Sequence, residues 1–154
     1  MPAHLQEPLW PLPFRWAIQV KEIENLIGQT NFKKFNDGRY LFVGGISRVK
    51  KYFGWYRGKQ LAKWLGNVIE QKTGNADITF EQMHQQGYRD LYVTGTCLNK
   101  QRPVIFSYAS YPKMKVKDAV RISAGIPLYF EAVFMDSTGS IYIIRSKSKD
   151  WISW

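Results

Sequence analysis

The stretch Tyr88-Arg-Asp-Leu-Tyr-Val-Thr-Gly-Thr-Cys-Leu98 alternates along its length and is rich in β-branched and aromatic residues, which predicts a strand. A turn at Asn99-Lys-Gln-Arg-Pro103 leads into a second strand, Val104-Ile-Phe-Ser-Tyr-Ala-Ser110, so the two form a hairpin. Pro112 breaks the second strand. Val116, Ala119, Val120, Ser123 and Ala124 then fall on one face at helical spacing. Gly125 and Pro127 stop that helix, glycine by permitting a left-handed cap and proline by refusing to continue. A third strand is expected from Leu128 to Met135, followed by a turn at Asp136-Ser-Thr-Gly139 and an exit along Ile141 to Ile144.

Upstream, Val20, Ile23, Leu26 and Ile27 share one face of a helix predicted from Gln19 to Gly28. Asn31-Phe-Lys-Lys-Phe35 adds a short turn closed at Asp37-Gly38, and Tyr40 to Val43 is a brief apolar run. The clearest helix is predicted over Gly58 to Lys72. Leu61, Trp64, Leu65, Val68 and Ile69 recur at its apolar period, and Gly74 ends it. Thr79 reads as an N-cap, with Gln82 three residues on completing a capping box. Helices and strands thus alternate, which predicts an α/β fold with helices on the faces of a sheet.

Length confines the chain to one domain: 154 residues, 45% hydrophobic, argue a globular body with a sizeable core. Three segments are expected: a Pro-rich irregular arm over 1–18, a folded body over 19–146, and a tail over 147–154. The single cysteine, Cys97, excludes an intramolecular disulfide framework and suits a reducing compartment. No apolar run has the length of a membrane span, and the first residues lack a basic segment followed by an apolar one. The expected location is therefore cytoplasmic, with contact at a membrane periphery. A net charge of +10 favours anionic partners.

Three blocks carry a resemblance: Asp90-Leu-Tyr-Val-Thr-Gly-Thr-Cys-Leu-Asn99, Pro103-Val-Ile-Phe-Ser-Tyr108 and Val120-Arg-Ile-Ser-Ala-Gly-Ile-Pro127. Together they resemble the second half of a patatin-like phospholipase domain, and the likeness runs from about Val20 to Gly139. Ala119, Arg121, Ser123 and Pro127 match the family pattern Ala-x-Arg-x-Ser-x-x-x-Pro, a structural block that leads toward the catalytic aspartate. The resemblance implies part of a three-layer α/β/α domain with a mixed sheet. In an intact relative, a serine nucleophile and an aspartate base hydrolyse acyl lipids without cofactor or metal.

The family's Gly-x-Ser-x-Gly elbow and its Asp-Gly-Gly turn are not found. An elbow needs flanking glycines because a side chain there would clash, and the nearest string, Gly45-Ile-Ser-Arg-Val49, has valine in place of the second glycine. Ser47 reads as a turn or cap residue, and Ser123 as part of the structural block. Asp136 reads as a turn former, and Asp150 has no glycine behind it. No catalytic residue, cofactor or metal is therefore assigned, and the chain is expected to be inactive alone, from an interrupted reading frame. Loss of central strands would expose sheet surface, so a homo-oligomer or a complementing chain is expected to cover it. His4 and His84 are far apart, and no phosphate-binding loop occurs.

A basic and aromatic stretch remains. Arg48, Lys50, Lys51, Trp55, Arg57 and Lys59 form a candidate surface for anionic partners, against the plainer reading in which the aromatics pack inward and the cations are only solvated. A lipid or membrane surface is the expected partner and nucleic acid is disfavoured. The alternative to a lipid acyl hydrolase is thus a non-catalytic basic module. Lys113, Lys115 and Lys117 stand beside a helix start, where the dipole disfavours cations.

Overall fold

The computed structural model describes residues 20–37 and 45–141. The Pro-rich arm, the Tyr40 to Val43 run, most of the Ile141 to Ile144 exit and the tail lie outside the described residues.

Helix α1 spans Val20–Gln29 and runs through Gly28, which was expected to end it. A 3-10 turn follows at Phe32–Phe35, where the Asn31 side chain accepts from the Lys33 amide and caps it. Helix α2, Gly45–Tyr52, and the short strand β1, Gly54–Tyr56, were not foreseen. Ser47 consequently sits inside a helix. Helix α3, Lys59–Thr73, matches the predicted one closely, with Gly58 and Gly74 as left-handed caps at its two ends. Helix α4, Phe80–Gln85, starts on the full capping box of Thr79 and Gln82.

Strands β2, Val93–Cys97, and β3, Arg102–Phe106, form the expected hairpin, antiparallel and in the register Val93↔Phe106 to Cys97↔Arg102. Both are shorter than predicted. Helix α5 spans Val116–Ser123, and its inner face differs from the expected one. Val116, Ala119, Arg121 and Ile122 point inward, while Ser123 and Ala124 are exposed. Strand β4 is confined to Leu128–Phe130 and pairs parallel with β1, so the long strand to Met135 is not formed. After Phe130 the chain bends away, and only an isolated bridge between Met135 and Ile141 closes the Asp136 turn.

The result is an α/β fold with both parallel and antiparallel pairing. Among the described residues the strands form two separate pairs, β1 with β4 and β2 with β3. Two apolar clusters follow from this division. The first gathers Ile78, Phe106, Met114, Ala119, Ile122 and Met135 between the hairpin, α4 and α5, each no more than 1% exposed. Burying each large apolar chain there contributes about 1.5–3 kcal/mol. Gly95 lets α5 approach: a Cβ there would lie 2.9 Å from both Ile122 and Phe106. The backbone closes the same region, since Phe80 donates to the Met114 carbonyl and Val116 to that of Ile78. The second cluster packs Phe35, Tyr56, Leu61, Leu65 and Phe130 where α3 meets the β1–β4 pair.

Candidate functional site

Arg121 is the one charged side chain that the described residues bury almost wholly, at 4% exposure. It reaches out of α5 toward the second cluster, its guanidinium carbon 5.0 Å from the centre of the Phe130 ring. Nε donates to the Gly58 carbonyl at 3.3 Å, and Nη2 to those of Arg57 and Glu131 at 3.2 and 3.3 Å. Burying a guanidinium is costly unless its donors are matched; Nε and Nη2 are, whereas Nη1 is buried with no partner among the described residues. Here the acceptors come from the turn between β1 and α3 and from the end of β4, so one side chain joins three elements.

The same turn is held from the other side by Asp37. Its carboxylate accepts from the amides of Gly58, at 2.9 Å, and of Lys59, where α3 begins. A carboxylate at a helix start satisfies orphan amides and faces the positive end of the dipole. The cap comes from 21 residues upstream of Gly58, beyond the reach of any local capping pattern. Tyr129 donates its hydroxyl to the Asn36 side chain, tying β4 to the same loop. Burial lowers the Arg121 pKa, and the carboxylates of Asp37, Glu131 and Asp118 act against that shift. Gly58 is required twice over: its φ is +70°, and a Cβ would lie 2.2 Å from Arg121 Nη2.

The junction is architecture, and the other members of the matching block fit that reading. Ala119 is fully buried under the first cluster, Ser123 is exposed at the end of α5, and Pro127 is exposed in the turn before β4. Asp136 is engaged by its own turn: Oδ1 accepts from the amides of Thr138 and Ser140 and from the Thr138 hydroxyl. The Thr138 hydroxyl, then the Ser140 amide, hold its pKa below the usual carboxylate value. Asp150 lies outside the described residues. Cys97 is buried on β2, and His84 stacks on Tyr108 at the surface, with Nδ1 3.0 Å from Asp90. No group of three or more metal-ligating side chains occurs among the described residues.

The candidate anionic-partner residues separate into two groups. Lys50 and Lys51 are exposed at the end of α2, whereas exposed Arg57 and Lys59 lie beyond β1, beside the Asp37 cap. Strand β1 stands between them. Trp55 is half-buried against the second cluster, as is Trp64, and Tyr56 is buried within it. Arg48 falls within α2, and its side chain is outside the described set. The lysines at the start of α5 have a local reason: Lys115 and Lys117 both pair with Asp77. These contacts hold the Asp77 pKa below its usual value, the Lys117 bond first.

Sequence reasoning singled out Arg121 but missed Asp37 and the Glu131 carbonyl. Asp37-Gly38 carries only a turn signal, and nothing local marks it as the cap of a helix that starts at Lys59.

No described helix is long and apolar enough to cross a membrane. An uncharacterized protein of Acanthamoeba polyphaga mimivirus is 32% identical over 90 residues, which cover 58% of this chain and 28% of that protein. The match therefore covers less than a third of the length of that relative. The model of the patatin-like phospholipase family matches residues 17–144 and takes in the whole junction, from the Asp37 loop through Arg121 to Glu131. On that match the chain belongs to the patatin-like phospholipase family.

Proposed function

We propose that this chain is the supporting part of a lipid acyl hydrolase-type domain and does not hydrolyse esters by itself. The reading rests first on Asp136, the first aspartate after the matching block. Three hydrogen bonds within its turn hold it as a carboxylate of lowered pKa. A general base works best with a pKa near the operating pH, so this environment makes Asp136 a poor proton acceptor. The serines add to the case, because Ser47 lies within α2 and Ser123 is in the block that carries the Arg121 clamp. The substrate class of the intact domain, acyl lipids, comes with the family.

The test is turnover of an activated short-chain ester together with labelling by a fluorophosphonate probe. The expected result is a rate at the buffer background and no stoichiometric label. Labelling at Ser47 or Ser123 that is lost on substitution by alanine would overturn the proposal.

A second reading, a basic module for anionic partners, is supported in its membrane form. Stacking of single-stranded nucleic acid needs several accessible aromatic faces; Tyr56, Trp55 and Trp64 pack on the second cluster, while Phe53 is exposed.

A further inference from the structure

Ile46 and Lys50 lie four residues apart on α2, and Phe53, the residue after the end of Gly45–Tyr52, is seven from Ile46. At 3.6 residues per turn Ile46 and Lys50 share one face of α2, and Phe53 follows where the helix has ended. All three are exposed, Ile46 at 63% and Phe53 at 39%. Phe53 has a φ of 58°, a left-handed conformation that bulky residues rarely adopt. Gly54 follows it and pairs with Leu128, which has a φ of 64° and is 60% exposed. Ile126, two residues before, is 59% exposed. Exposed Phe53 and Leu128, from two distant segments, thus stand at one end of the β1–β4 pair, both on strained backbone, with exposed Ile126 two residues from Leu128. Strain of this kind is retained where the surroundings impose it, and it clusters at functional sites.

Charge indicates what such a surface meets. Between Asp37 and Glu70 the sequence contains Arg39, Arg48, Lys50, Lys51, Arg57, Lys59 and Lys63 and no acidic residue. Lys50 and Lys51, at the end of α2, flank the exposed Phe53. Apolar side chains beside lysines on the outside of a short helix match the boundary of an anionic bilayer, where the apolar groups enter the acyl region and the ammonium groups meet phosphate.

We infer that Ile46, Phe53, Ile126 and Leu128, with Lys50 and Lys51, form a docking surface for anionic lipid bilayers. The inference deepens the lipid-directed reading but requires no turnover, because docking is a binding event at residues outside the Asp136 turn and the Arg121 junction. Phe53 and Leu128 supply the apolar anchor, and the lysines supply the preference for anionic headgroups.

Vesicle co-sedimentation tests it, using phosphatidylcholine alone and phosphatidylcholine containing phosphatidylserine. Phe53→Gly and Leu128→Gly remove the anchors and also suit the left-handed backbone, so their melting temperatures should be unchanged or raised. Each is expected to weaken binding to the anionic vesicles by about tenfold, the scale of losing one partly inserted apolar side chain. Lys50→Glu with Lys51→Glu should abolish the difference between the two vesicle types. Full binding by the stable glycine variants would overturn the inference, as would no binding by the parent chain. Steeply salt-dependent RNA binding lost in these same variants, or a homodimer that protects a Phe53→Cys thiol from labelling, would also overturn it. Ester turnover is read in a separate assay, so failure of docking and failure of the proposed inactivity are distinguishable.

Discussion

The two apolar clusters solve the same problem by different means. The first, around Phe106 and Ile122, is sealed by hydrocarbon contact, a hairpin in regular register and capped helices. The second, around Phe130 and Leu61, is small and aromatic and sits under a parallel pair only three residues long on each side. Its coherence comes from Arg121 and Asp37, which hold the β1–α3 turn from opposite sides. A hydrophobic core tolerates some change of shape, because its attractions are many and individually weak. A buried polar clamp does not, since losing one partner strands the others. The difference predicts graded losses in the first region and abrupt, localised ones in the second.

The largest effect is expected from Phe106→Ala, which opens a cavity at a position with no solvent exposure. It should cost about 3–5 kcal/mol in urea unfolding. Arg121→Met should follow at about 2–4 kcal/mol, because three carbonyls lose their donor. Arg121→Lys should recover little, as an ammonium cannot match the spread of Nε and Nη2. Amide hydrogen exchange sharpens the contrast: in Arg121→Met the amides of Gly58 and Lys59 should exchange faster while that of Val116 is unchanged. Equal acceleration of all three would mean the regions open as one unit, and the comparison would fail.

Asp37→Asn should cost about 1 kcal/mol, since the amide keeps one acceptor but loses the charge that faces the helix dipole. The smallest effect has the opposite sign. Burial raises the Asp118 pKa above its unfolded value of about 3.9, so its ionised form costs stability at neutral pH. That cost disappears as the pH falls below both values. Asp118→Asn should therefore raise the melting temperature slightly at pH 7, with the gain vanishing below about pH 4. Asp136 behaves conversely: its pKa is lowered, so its contribution is present above the unfolded value and lost as acid protonates it.

The hairpin, α3 and the Thr79 capping box were legible because their signals are local. Alternation, apolar spacing at 3.6 residues, a glycine at a helix end and a Thr–Gln pair three residues apart each concern neighbours in the chain. The matching block around Arg121 was legible as a pattern, which was enough to place the chain in its family. Other features were not legible. The β1–β4 pair joins three-residue segments more than seventy residues apart, too short for either to carry a periodic signal. The inward turn of Arg121 contradicts the apolar face drawn from spacing alone, because its burial depends on carbonyls supplied by Arg57, Gly58 and Glu131. Likewise Asp37 becomes a helix cap only when the fold brings α3 to it. The sequence by itself determined the hairpin, α3, the capping box of α4, the family and the strongly basic balance. Tertiary structure alone decided which polar groups meet, and which apolar ones at the end of α2 are left facing outward, because those outcomes depend on partners that no local pattern records.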